Sequence, residues 1–223
     1  MSYFTVLLPP ISNKLLDILD NEHGPIRLKV PGVNNAVRYR ATDGQTPTWL
    51  TLFDTESPDV VQSEEYRVLR AQASERERAC APQLSTFNRG YYEQIFSKVE
   101  ENHPGTPGKY IMVVSMLVRP EIDDEFNQWY NTEHVPDLAK TPGWHRSRRF
   151  KLLNNVEFGK GNGVDATKPP HNYLAIHDFD HDGYIETSEF VAAVQTPWSG
   201  KVLSQVSEYS YRKFGFHKVI EKS

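Results

Sequence analysis

Two stretches of this chain carry the same residues at the same spacing. Residues 22–40 read EHGPIRLKVPGVNNAVRYR and residues 133–151 read EHVPDLAKTPGWHRSRRFK. Glu22, His23, Pro25, Pro31, Gly32 and Arg38 recur as Glu133, His134, Pro136, Pro142, Gly143 and Arg149, each pair 111 positions apart with no gap. One match can arise by chance; six in a single register argue for duplication of a whole folding unit. A chain of 223 residues is then expected to hold two units of about 110 residues each.

Each unit reads as strand, helix, strand, strand, helix, strand. In the first, Tyr3–Leu8 is an apolar run of β character. Ser12 is a helix N-cap, followed by Leu15, Leu16, Ile18 and Leu19 at helical spacing. Pro25 and Pro31-Gly32 are expected to end that helix and turn the chain. Val33–Arg40 and Trp49–Phe53 read as strands joined through Asp43-Gly44, Val60–Glu77 as a helix and Leu84–Tyr92 as a strand. The second unit repeats this order. Tyr110–Val118 is a strand, Asp123 is expected to cap a helix holding Phe126, Trp129 and Tyr130, and Trp144–Leu153 and Tyr173–His177 are strands. Thr187–Val194 opens a helix and Glu208–Phe216 is the last strand. A glycine-rich connection with Gly159, Gly161, Gly163 and Pro169-Pro170 raises the offset to 124 beyond it, so that Trp49 matches Tyr173, Asp54 matches Asp178 and Tyr66 matches Phe190. The expected organisation is a first repeat over 1–99, a linker over 100–109 and a second repeat over 110–218. A βαββαβ unit makes a four-stranded antiparallel sheet with both helices on one face. The fold class is therefore α+β: two ferredoxin-like repeats whose open sheet faces are expected to pack into an intramolecular, pseudo-dimeric barrel.

Composition narrows the function classes. Net charge is −4 with no long basic run, which disfavours nucleic acid or an anionic membrane as a partner. The longest apolar stretch, Tyr110–Val118, is too short to span a bilayer. The N-terminus lacks a basic region and its apolar run stops at Pro9-Pro10, so a cytoplasmic protein is expected. Cys80, the single cysteine, cannot form an internal disulfide. Phosphate-binding glycine loops, Cys-x-x-Cys, Gly-x-Ser-x-Gly and dinucleotide fingerprints are absent from the sequence.

One motif points elsewhere. Asp178 to Glu189 matches the EF-hand loop, with acidic residues at positions one, three, five and twelve and glycine at six. An EF loop follows a helix, whereas Asn172–His177 reads as a strand, and the repeat lays this segment over Asp54–Glu65. It is read as an acidic strand-to-helix connection, with no metal site expected; calcium binding through 178–189 is the lesser alternative.

The second unit's apolar strand followed by EFNQWYNTEHVPDLAKTPGWHRSRRF resembles the EthD-like members of the dimeric α+β barrel superfamily. The Glu-His-x-Pro at the helix end and the following Pro-Gly carry the resemblance. It implies a cavity enzyme that needs no metal or organic cofactor and moves a proton with histidine or tyrosine. By that likeness His134, its repeat His23, and His171 before the third strand are the catalytic candidates. His145 and His171 have no histidine counterpart in the first unit, which is how a duplicate would look if one half kept the chemistry. His145, Trp49 and Tyr173 are candidates for contact with a flat apolar ligand, and Arg149 and Arg38, with Arg148, for holding a carboxylate. His177 faces either a cavity or the helices. The implied function is a cofactor-independent decarboxylase or cyclase acting on an aromatic, polyketide-type small molecule, in a chain that is a monomer with an internal pseudo-dimer or a homodimer. A non-catalytic small-molecule-binding or stress-related barrel is the alternative.

Overall fold

The computed structural model describes residues 2–8, 11–79, 86–103, 105–159 and 170–222. Cys80, Pro9-Pro10, Leu84, Gly161, Gly163 and Pro169 lie outside them. The chain is α+β and ferredoxin-like, and it divides into two compact units. One is built from the described parts of 1–93, 153–167 and 217–223, the other from those of 94–152 and 168–216.

In the first unit, β1 (Ser2–Leu8) pairs antiparallel with β3 (Trp49–Thr55) and with β4 (Thr86–Val99), and β3 pairs with β2 (Val33–Ala41). Its first helical segment begins at α1 (Asn13–Ile18), where the Ser12 hydroxyl accepts the Leu15 N–H at 3.2 Å. It widens into a π-helical turn over Leu19–His23 and tightens again as α2 (Gly24–Arg27). Pro25 does not end this helix. It lies within the continuous helical segment, as the second residue of α2 directly after the π-helical turn. The chain turns instead at Gly32, whose φ of 82° suits only glycine. The predicted helix over Val60–Glu77 is three pieces: a 3-10 turn over Pro58–Gln62, α3 (Glu64–Ala71) and α4 (Glu75–Arg78). Ser63 and Ser74 restart it, each accepting a backbone N–H three residues on. The core holds Leu28, Val33, Ala36, Phe53 and Tyr66, with Leu15, Ile18, Leu19 and Trp49 in a second cluster.

The second unit uses β5 (Tyr110–Leu117), which pairs with β7 (Tyr173–Phe179) and β8 (Glu208–Ile220), and β7 pairs with β6 (Trp144–Gly159). Its helices are α5 (Asp123–Trp129), a π-helical turn over Tyr130–His134, α6 (Val135–Leu138), α7 (Ser188–Val194) and α8 (Pro197–Leu203), the last not expected from sequence. Asp123 does not cap α5. It is the first helical residue, and its carboxylate instead takes the hydroxyl of Tyr173. Phe126, Trp129, Tyr130, Val135 and Tyr173 form the centre of an aromatic-rich core. Each such side chain contributes about 2–3 kcal/mol by leaving water.

Registers agree between the units. Ala36 lies opposite Phe53 and Ser147 opposite His177; Arg38 lies opposite Thr51 and Arg149 opposite Ala175. Each second strand bulges at its start, at Val33/Asn35 and at Trp144/Arg146. Trp49 and Tyr173 hold the same place at the start of the third strand, opposite Arg40 and Lys151. Among the described residues, no helix is long and apolar enough to cross a membrane.

Candidate active site

The chemistry-bearing groups of the second unit converge between its sheet and α5. Alternation along β6 sends Arg149 toward the helices, where it is 1% exposed. Its guanidinium carbon lies 4.2 Å from the Tyr130 ring centroid and 5.1 Å from that of Phe126. Nη1 donates to Asn131 Oδ1 at 2.6 Å and Nη2 to Asn127 Oδ1 at 2.9 Å. Both partners are neutral amides; among the described residues, no carboxylate pairs with this cation. Burial lowers its pKa from 12.5 to about 10, so it remains charged at neutral pH.

Asn127 Nδ2 donates in turn to the Tyr173 hydroxyl at 3.0 Å, and that hydroxyl donates to Asp123 Oδ1 at 2.6 Å. Lys151 Nζ stands 3.4 Å from Asp123 Oδ2. Arg149, Tyr130, Tyr173, Phe126, Met116 and Ala175 border a recess of about 10 Å³. That is on the order of one water molecule.

A second polar chain runs behind Tyr130. Its hydroxyl is 3.4 Å from His177 Nε2, His177 Nδ1 is 2.7 Å from Ser147 Oγ, and the Trp144 indole N–H donates to that same oxygen at 2.9 Å. Burial pushes the His177 pKa well below 6.5, with His134 and Arg149 adding to the effect, and raises that of the Tyr130 phenol. Both groups are therefore neutral at neutral pH.

Of the residues singled out by sequence, the structure brings Arg149 and Tyr173 together. His134 does not border the recess itself but packs edge-on against Tyr130, with ring centroids 4.9 Å apart. It stacks on Trp129 at 4.6 Å, its Nδ1 is 3.3 Å from the Ala193 carbonyl, and burial lowers its pKa to about 4. His171 Nδ1 is 2.9 Å from Ser115 Oγ, and His145 Nδ1 is 2.8 Å from Glu100 at the strand bulge. His23, Arg38 and Trp49 belong to the first unit. There His23 Nδ1 is 2.6 Å from Glu77, Arg38 forms an ion pair with Asp20, and Trp49 meets the edge of His217. Arg148 is matched to Asp178, as is Arg146. That pairing occupies the first acid of the EF-like loop, which leaves β7 through a 3-10 turn at Asp182–Glu186. Among the described residues, no group of three histidine, cysteine or acidic side chains is placed to hold a metal.

The sequence reading passed over Asn127, Asn131 and Ser147 and gave Tyr130 to the helix-to-sheet core, where it does lie. The signal was available in the repeat: aligned at the 111 offset, these positions are Leu16, Asp20, Ala36 and Leu19 in the first unit.

Comparison with known proteins bears on the fold. A family profile described as Domain of unknown function (DUF4286) matches residues 109–195. No curated protein matches the chain. Among solved structures, an anthrone oxidase-like protein is 13% identical with a TM-score of 0.65, covering 100% of this chain and 93% of that one. A proposed monooxygenase from Fusobacterium nucleatum subsp. nucleatum is 8% identical with a TM-score of 0.60, covering 100% of this chain and 94% of that one. A major regulator of staphylococcal pathogenesis is 11% identical with a TM-score of 0.54, covering 98% and 100%. At these identities the likeness establishes the ferredoxin-like fold alone.

Proposed function

We propose that this chain is a small-molecule enzyme whose site is the Arg149 recess of the second unit, and that it works without a cofactor by stabilising a substrate anion. The observation that carries this reading is a buried, charged guanidinium beside a recess, whose hydrogen bonds among the described residues go only to amide oxygens. An uncompensated charge in the interior is costly, so a fold retains one where an anionic ligand completes it. Phe126, Tyr130 and Tyr173 around it suit a flat aromatic framework.

Decarboxylation or cyclisation of an aromatic polyketide-type acid is the reaction class we assign. In decarboxylation the carbon–carbon bond to the carboxylate breaks, carbon dioxide leaves and the electron pair becomes an enolate, which a proton then quenches. A cation favouring that enolate over the starting acid lowers the barrier. In this reading proton handling lies at the recess rather than at His134, His171 or His23. Attack of dioxygen on the same anion is the second reading, favoured by the names of two structural neighbours, an anthrone oxidase-like protein and a proposed monooxygenase. We also propose that the chain is a tandem duplication completing an α+β barrel by itself, which the matched registers of the two units support.

The test is turnover of a panel of aromatic polyketide acids, followed by liquid chromatography and mass spectrometry without added metal. Wild type would be run beside Arg149→Met and His134→Ala. A mass loss of carbon dioxide or water that disappears with Arg149→Met supports the assignment; a gain of oxygen moves it to the second reading. Turnover untouched by Arg149→Met, or retention of a ligand without turnover in every variant, removes it.

A further inference from the structure

We propose that the recess is an oxyanion hole for a single enol or phenol oxygen, with Arg149 supplying the charge and the Tyr130 hydroxyl the hydrogen bond. This rests on the reading of Arg149 above and names the group it receives.

Size gives the first argument. A recess of about 10 Å³ is on the order of one water molecule, the size of a single oxygen.

Hydrogen-bond accounting gives the second. Ser147 is fully buried, and its oxygen already accepts from the Trp144 indole, which can only donate. The hydroxyl proton of Ser147 needs an acceptor, and His177 Nδ1 at 2.7 Å is the one in place. The opposite tautomer would bury that proton unpaired. His177 therefore carries its proton on Nε2, which donates to the Tyr130 oxygen at 3.4 Å. The phenol's own proton is thereby turned away from His177, and because Tyr130 borders the recess it is the donor we assign to an oxygen there. Trp144 and Ser147 are positioning residues in this scheme, and His177 acts through Tyr130.

The third argument is that the fold does not require this chain of groups. Its counterparts at the same registers in the first unit are Val33, Ala36, Phe53 and Leu19, all buried and apolar. Four polar or aromatic groups aligned behind a recess in one unit, and hydrocarbon at the same places in the other, fit a role beyond packing.

The probes are 4-nitrophenol and 4-nitrobenzoate, titrated against the whole protein. The absorbance of 4-nitrophenol reports whether the bound form is the phenolate. Wild type should bind it as phenolate, with an apparent acid constant raised at least tenfold over free solution, and should bind 4-nitrobenzoate at least tenfold more weakly. Tyr130→Phe should reduce phenolate binding about 10- to 100-fold, the weight of one hydrogen bond to a charge, and Ser147→Ala should reduce it less. Arg149→Met without effect on either probe defeats the anion site itself. An effect of Arg149→Met with none of Tyr130→Phe leaves that site standing and overturns the oxyanion hole. Nitrogen-15 NMR of the histidines in unmodified protein is the check independent of variants: a proton on Nδ1 of His177 overturns the proposed geometry.

Discussion

Arg38 and Arg149 occupy the same place in the two units, opposite Thr51 and Ala175, and both are buried. Their partners differ. Arg38 Nη1 lies 3.0 Å from Asp20 Oδ1, and the other Asp20 oxygen is 3.3 Å from His217 Nε2. Arg149 meets Asn131, at the position of Asp20, and Asn127, at that of Leu16. The first arginine is ion-paired with a neighbour in its own unit; the second is hydrogen-bonded by amides. One backbone position thus carries two kinds of buried arginine, and Asp20 against Asn131 and Leu16 against Asn127 separate them.

The largest effect that would break this comparison comes from removing each arginine. Arg38→Met strands the buried Asp20 carboxylate and should cost about 3–5 kcal/mol, read by urea unfolding. Arg149→Met strands no acid but leaves two amide oxygens without their donor, so it should cost less than Arg38→Met, about 1–3 kcal/mol, while abolishing binding of an aromatic oxyanion. Equal destabilisation by the two would show that Arg149 is a structural cation after all.

The paired histidines differ in the same sense. Burial lowers His134 from 6.5 to about 4, with the Ala193 carbonyl as its hydrogen-bond partner. His23, also lowered by burial, keeps the Glu77 carboxylate at 2.6 Å. For a group whose folded pKa is depressed, stability is complete above the unfolded value and is lost as pH falls. The second unit should therefore weaken between pH 6.5 and about 4, by roughly 3 kcal/mol from His134, with His177 acting in the same direction. His134→Phe should remove its share of that slope in unfolding titrations. An unchanged slope would show that His134 is not buried neutral.

A smaller change should convert one unit toward the other. Asn131→Asp sets a carboxylate against Arg149, as Asp20 stands against Arg38. Oxyanion affinity should fall about tenfold, from the added like charge and the neutralised cation. Calorimetric titration measures this, and an unaltered affinity would mean that the amides are incidental.

The repeat explains how much of this was legible in the sequence. The periodic positions and the Pro-Gly turns located the strands and first helices because both units obey the same packing constraints. Pro25 misled because a proline that a helix accommodates beside a π-helical turn looks the same in sequence as one that ends it. Arg149 and Tyr173 were visible as an arginine and an aromatic on strands. Asn127 and Asn131 were not, because amides on a helix are ordinarily solvated, and only their distance from a β6 arginine gives them a role. His134 drew attention through repetition, yet what repeats between the units includes what the fold needs. The residues that differ, Asn127, Asn131, Ser147 and His177, are the ones that gather at the recess or behind it.

The smallest test addresses the start of each first helix. Ser12 and Asp123 are equivalent in sequence, but Ser12 caps its helix and Asp123 accepts from Tyr173 at 2.6 Å. Ser12→Ala should cost about 1 kcal/mol through the lost cap. Asp123→Ala removes no cap bond; it takes the acceptor from a phenol on a strand 50 residues away in sequence. The difference should therefore appear as coupling. In a double-mutant cycle, Asp123→Ala and Tyr173→Phe should interact by about 1 kcal/mol. Ser12→Ala and Trp49→Phe, the same cycle in the first unit, should add independently. Additivity in both would mean that the Asp123–Tyr173 bond holds nothing in place, and that the floor of the recess is set by packing alone.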